Sequence, residues 1–434
     1  MAVAHSWLQW RDRWRCSLLF ALLSLALMPA VAKASHTGDA TGDGSHQILN
    51  VNFMVSGGEQ REAYLSLVEA FEAANPDVQV RHREYEQETY KARMGEWLTG
   101  KDAPPDVLFW FAGEVLNDFV HRGLVRPIGT LWQQENWDAA FSPALKAVVS
   151  PDGAPVALPV AYYSWGLYYR KSLFERLGLQ PPRTWNQLLA VGEALKGQGV
   201  VPVAVGSEAG WPLAAWFDYL DLRLNGLSFH QAVTAGHVPF TDPRLRHVMS
   251  RWKALIDANF FLANHARMSW RSALPYLYQN AAGMMLMGAF VKPQFPESIR
   301  DDIGVAPFPM LNPAIGRYED APTDVFFIPA RASHPAAAER FLRFLAEPDT
   351  QSWINQQLGT TPPRDGARRA QDELAHSDRQ ILTAADGFAQ FFDRDASRAF
   401  SAAAMPVFVR FASGLYGIDE ALEQLETIRL TTHP

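Results

Sequence analysis

The first third of the chain alternates buried strands with amphipathic helices, and this alternation restricts the fold more than any other feature. Ile48 to Val55 reads as a buried strand, followed by Ser56-Gly57-Gly58 and a helix whose apolar positions Tyr64, Leu67, Val68 and Phe71 recur at helical spacing. Asn75-Pro76 stops that helix. A strand is expected at Val78 to His82, then a helix with Tyr90, Met94, Trp97 and Leu98 on its apolar face. Pro104-Pro105 precedes a further strand from Asp106 to Phe111. Such an order predicts an α/β lobe with a mostly parallel sheet, in which ligands sit beyond the carboxyl ends of strands. That rule singles out Ser56 to Glu59 and Trp110 to Glu114.

The stretch from Pro159 to Trp185, PVAYYSWGLYYRKSLFERLGLQPPRTW, crowds one strand end with Tyr162, Tyr163, Trp165, Tyr168 and Tyr169. A short helix and a rigid Pro-Pro turn into another helix follow. Flat apolar faces with polar tips suit sugar rings. A second lobe is expected to start near Ala161 and to continue through Thr184 to Lys196, Val201 to Val205 and the helix Trp211 to Leu224. Ser272 to Met287 joins a helix to a buried strand, and Ile303 to Pro309 reads as a strand returning to the first lobe. The helix Ala336 to Leu345 follows Phe326 to Pro329, and Gly359 to Arg364 reads as a third crossing.

Arg11, Arg13 and Arg15, the apolar run Leu18 to Val31 and Ala32-Lys33-Ala34 form the three parts of a secretory signal, with cleavage expected after Ala34. The run is shorter than the roughly 20 residues of a membrane-spanning helix. Asp12 separates Arg11 from Arg13, so a twin-arginine signal is not supported. The single cysteine, Cys16, would leave with the signal, so the secreted chain would hold together by its core and not by disulfides. About 400 remaining residues exceed what one core usually supports, which predicts two lobes. Removing residues 1–34 takes the 39 basic and 46 acidic residues to 35 and 45, a net charge of −10. A negative chain without basic blocks argues against nucleic acid as a partner.

Several segments carry a resemblance in a fixed order: ANPDVQV at Ala74 to Val80, PPDVLFW at Pro104 to Trp110, the aromatic stretch at Pro159 to Trp185, QNAAGMMLMGAF at Gln279 to Phe290, FLRFLAEPDTQSW at Phe341 to Trp353 and GTTPPR at Gly359 to Arg364. Together they resemble bacterial extracellular solute-binding proteins that deliver carbohydrates to ABC importers, the maltose-binding-protein-like family. The resemblance implies a two-lobe periplasmic binding protein fold with mostly parallel sheets, multiple chain crossings and a hinged cleft. It divides the chain into a signal peptide (1–34), a flexible leader (35–46), a first lobe built from 47–160 and 306–358, and a second built from 161–305 and 359–434. It also implies a periplasmic monomer, a carbohydrate ligand, the permease subunits of an ABC transporter as partners, and no cofactor.

On the same resemblance, Ser56, Gly57 and Glu59 match the first ligand-contacting loop, although a Gly turn with an acidic first-turn residue is also an ordinary helix start. Trp110 and Phe111 end a strand and Glu114 follows in a loop that carries ligand contacts in relatives; Trp110 could equally be core and Glu114 solvated. One of Tyr162 and Tyr163 should face the cleft and its neighbour point away, because strand side chains alternate. Trp211, in Gly210-Trp211-Pro212, matches a family tryptophan, whereas Trp216 is expected in the core. Trp270, Phe290 and Lys292 complete the second-lobe set, with Phe290 standing where relatives have tryptophan; Lys292 could be only solvated. Pro322-Thr323-Asp324 replaces a Gly-Gly pair, so Asp324 is either a ligand acceptor or a cap. Arg364 is either a cleft donor or a surface charge.

Two alternatives differ in class. A secreted glycoside hydrolase would need paired carboxylates, and Glu59, Glu114 and Asp324 are the candidates, but no local catalytic motif occurs. The scattered histidines suggest no metal site. The same fold could bind a polyamine, but these loops offer few acidic residues and many aromatics, which favours a neutral or oligomeric sugar.

Overall fold

The computed structural model describes residues 46–432. The expected signal peptide with Cys16, and all of the leader except His46, lie outside the described residues. Among the described residues there are eleven strands: β1 (Gln47–Val55), β2 (Val78–Glu86), β3 (Val107–Phe111), β4 (Ala157–Tyr162), β5 (Trp165–Arg170), β6 (Val201–Val203), β7 (Ala282–Gly288), β8 (Ile303–Ala306), β9 (Tyr318–Asp320), β10 (Thr323–Phe327) and β11 (Gly387–Ala389). They form a five-stranded sheet in the order β2-β1-β3-β10-β4, a four-stranded sheet in the order β6-β7-β5-β8, and a short β9-β11 pair. In the larger sheet only β10 runs against the others; in the smaller one only β5 does. The α/β architecture with mostly parallel strand directions is therefore present in both sheets.

Local sequence explains the elements around these sheets. In the helix Gly58–Ala74 the buried face is Ala63, Tyr64, Leu67, Val68, Ala70 and Phe71. Thr184 starts the helix Trp185–Lys196 by accepting the Gln187 N–H at 3.3 Å. All five residues of β3 are buried, as a central strand covered on both faces requires. No described helix is long and apolar enough to cross a membrane.

Two separate cores follow from this layout. One gathers β1, β3, β4 and β10 with helices Gly58–Ala74 and Pro335–Ala346; the other gathers β5 and β7 with the helix Trp211–Asn225 and the C-terminal helices Arg398–Ala412 and Ile418–Thr432. The chain passes between them at Tyr163-Ser164, at Ala321-Pro322 and near Gly359–Arg364, where Thr361 and Tyr162 exchange backbone hydrogen bonds of 2.9 and 3.1 Å.

Two boundaries differ from expectation. The strand at Ile303 does not return to the first lobe: β8 pairs with β5, and Phe308 stacks on Tyr219 at 4.9 Å inside the second core. The segment 306–320 thus packs with the second core, and the strand that enters the first sheet is β10. Ala161 and Tyr162, expected to begin the second lobe, instead end β4 in the first sheet. Hydrophobic content alone could not separate these cases, because both return strands are short and buried.

Candidate functional site

The ends of several elements converge on one cavity between the two cores. Ser56 directly follows β1, β3 delivers Phe111 and Asp324 is the second residue of β10; the second core contributes Trp165 from β5, Trp211 from a helix start and Phe290 from the turn after β7. The segment after β11 adds Phe391, Asp393 and Arg394, and the helix Gln87–Thr99 adds Gln87 and Lys91. Counting its solvent-open part, the cavity encloses about 540 Å³ of atom-free space.

Aromatic rings line its second-lobe side. Phe391 stacks on Trp165 at 4.6 Å, and Trp211, Phe290 and Tyr163 meet one another or Trp165 edge-on at 5.4–6.2 Å. The indole N–H of Trp165 is buried and has no acceptor among the described residues. The Trp211 indole N–H is likewise buried without an acceptor among the described residues, and burial pushes the Glu88 carboxyl above its ordinary value against the pull of the Lys91 charge.

Charged side chains bridge the cores across this cavity. Arg394 donates to Tyr163 Oη at 2.6 Å and to Asp324 Oδ1 at 3.2 Å, and its guanidinium lies 4.0 Å from the centre of the Phe111 ring. Lys91 donates to Asp393 Oδ2 at 3.5 Å and sits 5.6 Å from the same ring. Burial pushes the Asp324 carboxyl up to about 6, with the Arg394 charge pulling it back. The Tyr163 hydroxyl is raised by burial, again against Arg394. At the rim, Arg271 donates to the Ser56 carbonyl and pairs with Glu86 at 3.4 Å.

The expected site residues divide between this cavity and other surroundings. Ser56, Phe111, Tyr163, Trp211, Phe290 and Asp324 all line it. Trp110 does not: alternation turns it into the first core, where its N–H donates to the Val115 carbonyl at 3.2 Å. The same alternation separates the two tyrosines, with Tyr163 in the lining and Tyr162 closing β4 against Thr361. Trp270 stands behind the cage, 5.6 Å from Phe290. Gly57 caps the helix, and a Cβ there would lie 2.9 Å from the Gln294 side chain of the opposite lobe.

The remaining candidates are set apart. Glu59 and Lys292 line a second, larger groove, walled mainly by charged and amide side chains and with Trp353 as its aromatic member. Lys292 is ion-paired with Asp378, which also accepts from Ser164 at 2.8 Å. Glu114 accepts from Asn117 at 3.2 Å within its own helix. Arg364 lies over Phe141 at 5.9 Å. Glu59, Glu114 and Asp324, the carboxylates weighed for glycoside hydrolysis, do not share a cavity. No group of His, Cys, Asp or Glu among the described residues is placed to hold a metal ion.

Sequence reasoning missed Gln60, Gln87, Lys91, Phe391, Asp393 and Arg394, and it named Trp165 only as one of the aromatics crowding a strand end. Gln87 and Lys91 are spaced i, i+4 at a helix start, a usable signal. The run Phe391-Phe392-Asp393-Arg394 combines rings with opposite charges, which is a signal of the same kind.

The model of the family described as bacterial extracellular solute-binding protein matches residues 57–352. The chain belongs to this family. Among relatives, it is 26% identical over 331 residues to an ABC transporter extracellular-binding protein of Pyrococcus horikoshii, covering 74% of this chain and 73% of that one. It is 26% identical over 204 residues to a probable sugar-binding periplasmic protein of Rhizobium meliloti, covering 46% and 47%. Among solved structures, the bacterial solute receptor AcbH, for which an exclusive preference for β-D-galactopyranose is described, superposes with a TM-score of 0.81 at 25% identity, covering 89% of this chain and 97% of that one. This solute-binding protein therefore shares its two-lobe architecture with sugar receptors of ABC transporters.

Proposed function

We propose that this solute-binding protein captures a sugar of one or two rings in the cavity between its lobes and hands it to the permease of an ABC importer. The observation that carries this reading is the lining itself, in which rings from the second lobe face amides and charged groups from the first. Rings cover the C–H faces of a sugar, and Ser56, Gln60, Gln87, Asp324 and Asp393 offer hydrogen bonds to its hydroxyls. Because each lobe supplies part of the lining, ligand contacts favour the closed arrangement over an open one. The description of AcbH as a receptor for a single pyranose supports a small ligand. The protein works as a monomer in the periplasm after its signal peptide is removed, and it leaves the sugar intact.

The test is a thermal-shift panel of mono- and oligosaccharides on the chain from Ser35 onward, followed by product analysis. At least one sugar is expected to raise the melting temperature without being consumed, since a ligand of the folded state stabilises it by mass action. Turnover of the sugar would replace this reading with the hydrolase. Stabilisation by cationic ligands alone would replace it with the polyamine receptor.

A further inference from the structure

We propose that Lys91 and Asp393 set a charge filter that restricts this cavity to electrically neutral ligands. The inference rests on the reading of the cavity as a sugar site. Four charged side chains line the cavity, two of each sign: Lys91 and Arg394 against Asp324 and Asp393. They pair crosswise between the lobes. Lys91, from a first-lobe helix, meets the second-lobe Asp393 at 3.5 Å, and the second-lobe Arg394 meets Asp324, on a first-lobe strand, at 3.2 Å. Each lobe therefore brings one cation and one anion, and closing the cleft brings both pairs together.

A ligand carboxylate entering this site would need a cation that is not already committed, and a ligand amine would need a free carboxylate. Either must break a pair and leave one of its members facing a low-dielectric wall of rings, whereas a hydroxyl can share a carboxylate or a lysine without displacing its partner. The two pairs are not equally firm. Arg394 is also held by the Tyr163 hydroxyl and the Phe111 ring, and its side chain is 9% exposed. Lys91 and Asp393 are 22% and 23% exposed, and their contact is longer; a rim carboxylate, Glu88, lies 3.7 Å from the same ammonium. The looser pair is the adjustable one, so it decides which ligand charge is tolerated.

The experiment compares D-galactose and D-glucose with the matching uronates and 2-amino sugars, by calorimetric titration of the wild type, Asp393→Asn, Lys91→Met and the double variant. Ligand-free melting temperatures serve as the folding control. In the wild type a neutral sugar is expected to bind at least about tenfold more tightly than either charged analogue. Asp393→Asn leaves Lys91 with only the longer contact to the half-exposed Glu88 and should narrow the gap to the uronate about tenfold. Lys91→Met frees the carboxylate and should do the same for the amino sugar. The double variant should again favour the neutral sugar. Preference ratios that stay within twofold in both single variants, while a neutral sugar still binds, would overturn the filter and leave the sugar reading standing. Wild-type binding of a uronate, an amino sugar or a polyamine as tight as that of the neutral sugars would also overturn the filter. No binding by any sugar would overturn the sugar reading and the filter with it.

Discussion

Replacing Arg394 with Met separates binding from folding more sharply than any other single change. The guanidinium belongs to the second lobe, and two of its partners, Asp324 and Phe111, belong to the first. Removing one member of a buried pair costs about 3–5 kcal/mol when the other stays charged. Asp324 has an escape, because burial already pushes its carboxyl up to about 6, and without Arg394 it takes up a proton near neutral pH. That limits the loss to roughly 3 kcal/mol, or about 150-fold in Kd. The cost falls on the closed, ligand-holding arrangement, in which the lobes meet, so the ligand-free melting temperature should drop by no more than about 3 °C. Titration of the sugar identified by the panel measures the first quantity and a ligand-free thermal scan the second. Adding Asp324→Asn to Arg394→Met should recover at least about 1 kcal/mol, as expected for groups in direct contact. A Kd within fivefold of wild type, or losses that simply add in the double variant, would refute the idea that this pair closes the cleft.

Other outcomes follow from the same geometry. Trp211→Ala and Trp216→Ala should each lower stability by about 3–5 kcal/mol, since both indoles are buried; only Trp211 lines the cavity, so only its loss should weaken sugar binding, by at least tenfold against less than threefold, as measured by titration below the melting range. Arg271→Ala removes a half-exposed pair with Glu86 and should cost at most about 1 kcal/mol of ligand affinity; a hundredfold loss would give the rim a larger part than its exposure allows. Burial raises Asp324 and Asp395 to about 6 each, so the folded form holds their protons more tightly than the unfolded chain does. Their stabilisation is complete below the unfolded value near 4 and is lost as pH rises through about 6, roughly 1 kcal/mol per group between pH 5 and 7.5. Asp77, held down to about 2 by its hydrogen bond to Arg340, titrates below that window, whereas His265, lowered by burial, opposes the two carboxyls within it as a single group. The melting temperature with the sugar bound should therefore be higher at pH 5 than at pH 7.5, with a smaller difference in Asp324→Asn; a rise toward pH 7.5 would contradict the assignment.

The parts of the fold that periodicity describes were legible in the sequence. Tyr64, Leu67, Val68 and Phe71 are buried on one helix face because only one face of that helix meets a sheet. The helix starting after Thr184 was legible for a different reason, since the rigid Pro181-Pro182 turn marks its entry. What periodicity cannot supply is the partner of a strand. β8 and β10 are both short and largely buried, and nothing in either one states that β8 joins the second sheet and β10 the first. Their order was settled by long-range contacts such as Phe308 on Tyr219.

The site was legible where strand ends carry large side chains and illegible where two distant segments complete each other. Alternation along β3 explains why Phe111 faces the cavity and Trp110 does not, although both are aromatic and adjacent. Once β4 is known to end at Tyr162, the same rule chooses Tyr163. Arg394 obeys no such rule: the rings beside it mark its segment, but the default assignment of an arginine itself is the surface. Its burial follows from two events far away in sequence, the arrival of Asp324 at the start of β10 and of Tyr163 at the first crossing, which together give the guanidinium a carboxylate, a hydroxyl and a ring face. A charge becomes affordable in the interior only where partners from separate segments meet it, so the residues that join the two lobes are the ones that a local reading of the chain misses.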